Sequence, residues 1–492
     1  MKKSTWRKQH KWFGLILSFF ILMFCLSGIV LNHRSFFADH HISRAWLPSD
    51  YLYKNWNNGL LRGTLAFPQG KDSCGVLLYG NAGIFLTNRS ASAFEDFSQG
   101  LPYGADYRNI RGMALTPDKN LFAAGQFGLY RHDGNEWQEV TLPLQKGERI
   151  SDITTHGDSL IVVGRSYLYC STTPYHTFHR LTVKTPASHD GKVSLFRTVW
   201  LLHSGELFGT AGKLLMDMVA ILLIVLTLSG IAYWLLPKHV RRLKRSGRSA
   251  QKSISLLSTS LSWHDKAGRK TIVLTLLVAL TGWCLRPPVL IALVYGRVPA
   301  IPFTKLDSSN AWNDNLRMLR YDEKKHEWLL SSSEGFYVLP SLNSVPEKMS
   351  QVPPVSVMGL NVWQRDVHGN WLTGSFSGMY VWNRETGIVT DYFTGETALP
   401  EAGAPFGKRA ISGYSSDFPE KECIVEYTAG THFAPMPQAL EALPMSLWNF
   451  AQEIHTGRIY TVLGPGTLLF IFIAGAAATW CLITGYAVRK KR

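Results

Sequence analysis

Leu201–Trp234 reads LLHSGELFGTAGKLLMDMVAILLIVLTLSGIAYW, and Ile454–Val488 reads IHTGRIYTVLGPGTLLFIFIAGAAATWCLITGYAV. Each is a membrane-length apolar run led by His-(Ser/Thr)-Gly-x-(Leu/Ile)-(Phe/Tyr). Each has a glycine nine residues after the histidine (Gly212, Gly464) and a small-residue–glycine step near its far end (Ser229-Gly230, Thr484-Gly485). A second pair repeats in the same way. His10-Lys-Trp-Phe-Gly14 leads a run ending in Ser27-Gly28, and His264-Asp-Lys-Ala-Gly268 leads one ending in Thr281-Gly282. In both, the first glycine follows the histidine by four residues and the last by eighteen. The pattern predicts four membrane helices, each opened by a histidine, arranged as a duplicated pair.

Composition agrees with a polytopic membrane protein. Of 492 residues, 46% are hydrophobic, and Trp12–Leu31, Leu214–Leu236, Thr271–Leu285 with an extension and Gly466–Val488 approach the about 20 residues that cross a bilayer. The net charge of +16 suggests nucleic acid until it is located. Residues 1–12, 237–270 and 489–492 carry 5, 10 and 4 of the basic residues against one acid, Asp265, and the remainder is close to neutral. Excess Lys and Arg confined to short segments beside membrane helices follows the positive-inside rule. Both termini and the 237–270 loop are therefore expected in the cytoplasm of a bacterial cell, the two long segments in the periplasm, and no nucleic-acid partner. The first run is longer than a signal-peptide core and no A-x-A site follows it, so it is expected to remain as an anchor. Three of the six cysteines (Cys25, Cys284, Cys481) fall in the membrane runs, and Cys74, Cys170 and Cys423 are scattered with no C-x-x-C. That excludes a thiolate metal site or a disulfide scaffold as the organising feature.

The two long segments share a pattern of short β-type runs. Gly75–Tyr79 leads to Gly83-Ile-Phe, Leu121–Ala124 to Gly128-Leu-Tyr, and Leu160–Val163 to Ser166-Tyr-Leu-Tyr. The later segment continues with Trp328–Leu330 and Gly335-Phe-Tyr, Trp371–Thr373 and Gly378-Met-Tyr, Cys423–Glu426 and Gly430-Thr-His-Phe. A spacing of roughly 40–50 residues with several strands per unit suits propeller blades. Three units in each segment predict one propeller-like domain of about six blades; two separate β-rich domains are the alternative. The expected divisions are residues 1–34 (N-terminus and first helix), 35–197 (first β segment), 198–237 (second helix), 238–262 (basic cytoplasmic loop), 263–296 (third helix), 297–446 (second β segment) and 447–492 (fourth helix and C-terminus).

Six histidines lie close to the helices. With the first helix running outward, His10 and His264 fall at the inner face and His203 and His455 at the outer; His33 is outer and His239 inner. Two imidazoles facing each other across a helical bundle can serve as axial ligands of a haem. Hydrogen bonding at the interface is the plainer role for any one of them, and the paired repeat favours haem. Gly14, Gly268, Gly212 and Gly464 then lie on the approach of the macrocycle, whereas Gly28, Gly230, Gly282 and Gly485 suit close helix packing. Because His203 and His455 precede their apolar runs by about ten residues, roughly 15 Å of continuous helix, their site is expected at or above the membrane surface. Arg34 and Arg286 flank the outer helix ends, where they can meet haem propionates or lipid head groups. Lys213 and Asp217 stand four apart and can pair with each other, or Asp217 can transfer protons. His40-His41 can bind metal or sit solvated.

Arg7-x-x-His10-Lys-Trp-Phe-Gly14 with its terminal Ser27-Gly28, and Leu202-His203-Ser204-Gly205 with its downstream glycine, resemble the PepSY-associated transmembrane helix family. That family includes haem-binding inner-membrane reductases of ferric siderophores. The resemblance covers the four helices and implies two b-type haems on His10, His264, His203 and His455. It further implies outward electron transfer to a periplasmic ferric siderophore or ferric chelate, with a quinol or cytoplasmic donor. No C-x-x-C-H is present for thioether attachment. The sequence departs from the family in lacking a small PepSY domain between helices. A haem-free, membrane-anchored receptor or transducer that binds a ligand on its β domain is the rival reading.

Overall fold

The computed structural model describes residues 3–69, 73–356, 358–366, 368–398, 407–418 and 423–488. Lys2, the basic cluster at 489–492 and the side chain of Cys74 lie outside the described residues. The chain divides into a helical unit (Met1–Phe37, Gly191–Asp307, Leu447–Arg492) and a β unit (Ala38–Asp190, Ser308–Ser446).

The helical unit is built on α1 (Lys3–Asn32), the short α2 (Leu195–Ser204), α3 (Gly209–Arg245), α4 (Gln251–Lys270), α5 (Ile272–Cys284), the short α6 (Leu447–Thr456) and α7 (Gly466–Ala487). Among the described residues, three helices are long and apolar enough to cross a membrane: α1, the helix Glu206–Arg245 that contains α3, and α7. A fourth crossing arises only if α4 and α5, bent by 71° at their junction, are taken as one span. Alone, the thirteen residues of α5 reach about 20 Å, short of a hydrocarbon core about 30 Å thick. Leu214, Met218, Ile221, Val225 and Leu228 are exposed along α3. Their three- and four-residue spacing forms one apolar stripe, which water would disfavour and lipid would cover. The sequence expectation of a basic loop at 238–262 is corrected here. That stretch continues α3 to Arg245 and begins α4 at Gln251, leaving only a short turn.

Among the described residues, the β unit contains five sheets of four or more strands, all but one strand pair antiparallel. The six-stranded sheet joins Gly63–Gln69, Ser73–Gly80, Gly83–Asn88 and Phe94–Asp96 to Ile411–Ser415 and Cys423–Glu426 from the far end of the chain. The four-stranded sheets begin at Ile110, Ile150, Leu316 and Leu360. Five of the quoted motifs are hairpins between the second and third strands of a sheet. The sixth is cut short: after Cys423–Glu426, Gly430 makes only an isolated bridge to Glu426.

Burial on both faces explains the continuous apolar runs. In Ser159–Gly164, Leu160 and Val162 pack into a core with Phe122 and Ala124, while Ile161 and Val163 pack with Leu319 and Leu330. Successive side chains of a strand point to opposite faces, so this strand is sandwiched between the preceding and the following sheets. The same alternation divides Leu121 and Ala123 from Phe122 and Ala124. Leading strands pack in series: Gly63–Gln69, Ile110–Leu115, Ile150–His156, Leu316–Asp322, Leu360–Arg365 and Ile411–Ser415, and the last packs against the first. Five of the six carry a bulge-type register shift at the same place, after their first residue, where a bulge bends and twists the strand.

Asp322 ties two of these sheets together. Its carboxylate accepts from Arg365 at 2.6 Å, from Arg384, and from Trp371 Nε1 at 3.4 Å. Burial opposes its ionisation most strongly, yet Arg384, the Trp371 hydrogen bond and the Arg365 charge together hold the carboxyl below its ordinary value. A depressed folded value means the contribution is full above the unfolded pKa and is lost as pH falls through the folded one. The thermal stability of the full chain should therefore drop on acidification below about pH 4. Asp322→Asn should flatten that acid limb while lowering stability at neutral pH by about 3–5 kcal/mol, read by thermal unfolding across pH.

Residues 42–195 expressed alone should aggregate. The strand Gly63–Gln69 would lose its parallel neighbour Ile411–Ser415, and the sheet Ile150–Leu181 would lose the Leu319 and Leu330 side of its core. Unpaired edges and an uncovered apolar face favour association. A soluble monomer by size-exclusion chromatography would contradict the split assembly.

Candidate functional site

The four repeated histidines meet in two pairs. The His10 and His264 rings face each other at 5.8 Å between centres, and those of His203 and His455 at 6.0 Å. Each ring is held by a helix other than its own, and in the same way. His264 Nδ1 lies 3.0 Å from the Leu226 carbonyl and 3.0 Å from Ser229 Oγ. His455 Nδ1 lies 3.0 Å from the Phe24 carbonyl and 3.1 Å from Ser27 Oγ. His203 Nδ1 lies 3.1 Å from Thr281 Oγ1 and is bonded to the Val278 backbone. His10 Nδ1 lies 2.9 Å from the Cys481 carbonyl. In every case that carbonyl belongs to the residue three before the hydroxyl of the Ser/Thr-Gly step, and at each step that hydroxyl donates to the same carbonyl.

A carbonyl oxygen only accepts, so the ring nitrogen facing it carries the proton. In the neutral imidazole the other nitrogen, Nε2, then keeps its lone pair. Among the described residues none hydrogen-bonds to Nε2 of any of these four histidines. Each pair thus brings two imidazoles with unused Nε2 lone pairs close together, donors of the kind that metal ions take.

The glycines of the Ser/Thr-Gly steps make the approach possible, which corrects the sequence expectation that they serve helix packing. A Cβ on Gly28 would lie 3.3 Å from His455 Cε1, on Gly230 3.4 Å from His264, on Gly282 2.8 Å from His203 and on Gly485 2.8 Å from His10. Gly212 instead meets the backbone of Gly205, and Gly464 has φ +51 with open space around it. Gly212 is thus a packing glycine and Gly464 a turn glycine. Gly14 and Gly268 have ordinary contacts, with Cys481 and Leu226.

The breaks before α3 and α7 correct the height of the second pair. Gly205 and Gly209 take positive φ between α2 and α3, and Gly457 and Gly464 do so between α6 and α7. His203 and His455 therefore do not stand on continuous extensions of the membrane helices. They lie level with Gly282 and Gly28, inside the ends of α5 and α1.

The remaining candidates are placed as follows. Arg286 donates to the His455 carbonyl at 2.7 Å, while the Arg34 guanidinium stacks 3.9 Å over Trp448 on α6. Trp448 Nε1 also bonds to the Leu31 carbonyl, fixing α6 against α1. The expected Lys213–Asp217 pair does not form. Asp217 is bound by His33 Nε2 at 2.8 Å and Asn32 at 2.9 Å, and Lys213 faces Glu206 at 3.9 Å. His41 sits in a two-strand contact with Ser446; among the described residues no group of three or more metal-ligating side chains occurs. The described cysteines Cys25, Cys170, Cys284, Cys423 and Cys481 are free thiols.

The model of the PepSY-associated TM region matches over residues 1–235 and 116–492, together taking in every helix above. The chain belongs to the PepSY-associated TM family. No curated protein matches it. Two solved structures are similar to it. The extracellular domain of the putative hybrid two component system BT4673 from B. thetaiotaomicron is 11% identical, with a TM-score of 0.36, covering 78% of this chain and 34% of that one. A second structure of the BT4673 extracellular domain, described as a putative one component system, is 9% identical, with a TM-score of 0.34, 78% and 40%. This family member spans about a third of the length of the first, and at these scores the likeness carries no argument.

Filling the histidine cradles should be costly at the two tightest. Gly282→Ala and Gly485→Ala should each destabilise the detergent-solubilised chain by about 1–3 kcal/mol. Gly466→Ala, at a helix start with nothing within 4 Å, should be neutral or mildly stabilising. Thermal unfolding of the three variants checks the order.

Proposed function

We propose that the two histidine pairs hold two b-type haems and that the protein passes electrons across a bacterial cytoplasmic membrane to a ferric siderophore or ferric chelate outside. The observation that carries this reading is the fourfold repeat of one lock, Nδ1 on a helix carbonyl and Nε2 without a hydrogen-bond partner among the described residues, on imidazoles that meet in two pairs. The fit is supported by spacing: two metal–imidazole bonds of about 2 Å, with half a ring width on either side, correspond to the 5.8 and 6.0 Å between ring centres. When bound, haem supplies one-electron transfer between ferric and ferrous states. The chain's own contribution is to fix four imidazoles in one tautomer, keep them desolvated among apolar helices, and strengthen Nε2 as a donor through the Nδ1–H bond. Ferrous iron binds hard oxygen ligands more weakly than ferric iron, so reduction would release the metal from its chelator.

The excess of basic residues beside the helix ends supports placing both termini inside and the β unit in the periplasm. The serial packing of six leading strands supports reading that unit as a six-bladed propeller interrupted by α2–α5 after its third blade. The donor would be a quinol or a cytoplasmic reductase.

A pyridine haemochrome assay on the purified chain should give two b-type haems, and protein with none would sink the reading in favour of a haem-free receptor. His455→Ala should remove the haem shared with His203 and spare the other. His10→Ala should do the reverse, by optical spectrum and redox titration. Depletion of the same haem by both variants would refute the pairing. Periplasmic reduction of a ferric chelate should fail in both variants, since each breaks the path at one step.

A further inference from the structure

Given two haems on the two histidine pairs, as proposed above, we infer that Arg286 makes the His203–His455 pair the stronger electron acceptor. An electron arriving at the His10–His264 pair is then drawn across to it. Arg286 acts here as a positioned charge and not as an iron ligand.

The segment 281–286 serves both rings of the His203–His455 pair. Thr281 and Gly282 cradle His203. Four residues after Gly282, Arg286 Nη2 donates to the His455 carbonyl at 2.7 Å. Among the described residues that is its one hydrogen bond, although a guanidinium has five N–H donors, and no carboxylate pairs with it. Glu453, two residues before His455, is held instead by Arg458 at 2.5 and 2.9 Å. A guanidinium stays protonated in proteins, so Arg286 is a half-buried positive charge without an acidic partner. That charge acts on both His203 and His455.

The other pair is set differently. Asp265, next to His264 on α4, places a negative charge against it, and Arg269 offsets that charge. Lys8, Lys11 and Lys266 stand nearby in sequence but are exposed, where water and salt screen them. Reduction adds one negative charge to a carrier, so a fixed cation beside it stabilises the reduced state. The sulfur neighbour of His10 Nδ1 works in the opposite sense, because a poorer imidazole donor also favours the reduced state at its own pair. It alters one hydrogen bond, whereas Arg286 adds a whole charge, and the charge prevails. The transfer balances as one electron leaving one pair and entering the other, with no bond made or broken and no proton moved.

Potentiometric titration of the full chain in detergent, followed by optical absorption, is the test. Haem content of the parent is measured first, and protein without haem would remove the electron-transfer reading together with this inference. With two haems bound, the one lost in His455→Ala should be the one of higher midpoint. Arg286→Gln should lower that midpoint by about 59 mV or more, tenfold in a one-electron equilibrium, and leave the other in place. Arg286→Lys, which keeps the charge, should recover most of the shift, a rescue that a purely structural role would not give. Arg89→Gln, exposed in the β unit, should move neither midpoint. Two bound haems overturn this inference alone if the one lost in His455→Ala has the equal or lower midpoint. The same follows if Arg286→Gln leaves its midpoint unchanged or shifts both haems alike. The comparison of midpoints needs no Arg286 variant, so it decides the matter even where Arg286→Gln does not fold.

Discussion

The helical unit depends on one interaction used four times: an imidazole N–H donating into the carbonyl of another helix, beside a glycine that lets the ring approach. A helix carbonyl is normally spent on its own amide four residues on, but its second lone pair is free. A Ser or Thr hydroxyl three residues later bonds to the same oxygen, as such hydroxyls often do inside apolar helices. The histidine joins that local bond and links it to a different helix. Each lock crosses elements: α1 to α7, α4 to α3, α2 to α5 and α6 to α1. The two pairs are therefore separate in their rings but share helices through their supports, with α1 bearing His10 and cradling His455.

The charged groups of the helical unit follow the same economy. Asp217 is 8% exposed within α3, a placement that is unfavourable without a partner. His33 and Asn32, at the end of α1, supply two hydrogen bonds. Arg286, beyond α5, reaches the His455 carbonyl at the C-terminal end of α6, where the helix dipole also favours a cation. Each contact joins segments distant in sequence, so these polar groups set the register between helices that apolar packing alone would leave free to slide.

Much of this was legible in the sequence, for reasons specific to particular residues. The histidine repeats at 10 and 264, and at 203 and 455, identified the pairs because duplication preserves spacing. The steps Ser27-Gly28, Ser229-Gly230, Thr281-Gly282 and Thr484-Gly485 were equally visible, yet their role was not. Small residues at helix ends have a general use in packing, and only three-dimensional contact shows which ring enters the space. The breaks at Gly205 and Gly457 were hidden by the continuity of the apolar pattern, which placed His203 and His455 too far out. The β unit was legible in its hairpins, since Gly83, Gly128, Gly335 and Gly378 mark the turns. Its joining across the chain was not, because Gly63 and Tyr414 pair through a single parallel bridge that leaves no local signature.

The four locks are not identical, and their difference bears on how the two pairs would behave. Ser27, Ser229 and Thr281 each put a hydroxyl oxygen within 3.1 Å of the imidazole they cradle. At His10 the equivalent hydroxyl, on Thr484, donates to the Cys481 carbonyl at 2.9 Å, and the second neighbour of Nδ1 is the Cys481 sulfur at 3.5 Å. Sulfur is a weak acceptor, so the His10 N–H is drawn by one strong acceptor where the others have two oxygens at hand. A weaker pull on Nδ1–H leaves Nε2 a poorer donor. The His10–His264 pair is thus chemically unsymmetrical, while in the His203–His455 pair both rings meet an oxygen of each kind. An electron carrier held by the first pair would feel less donation than one held by the second. That difference arises at one position, where Cys481 stands in place of the Phe24, Leu226 and Val278 of the other locks and its sulfur is the second neighbour of Nδ1.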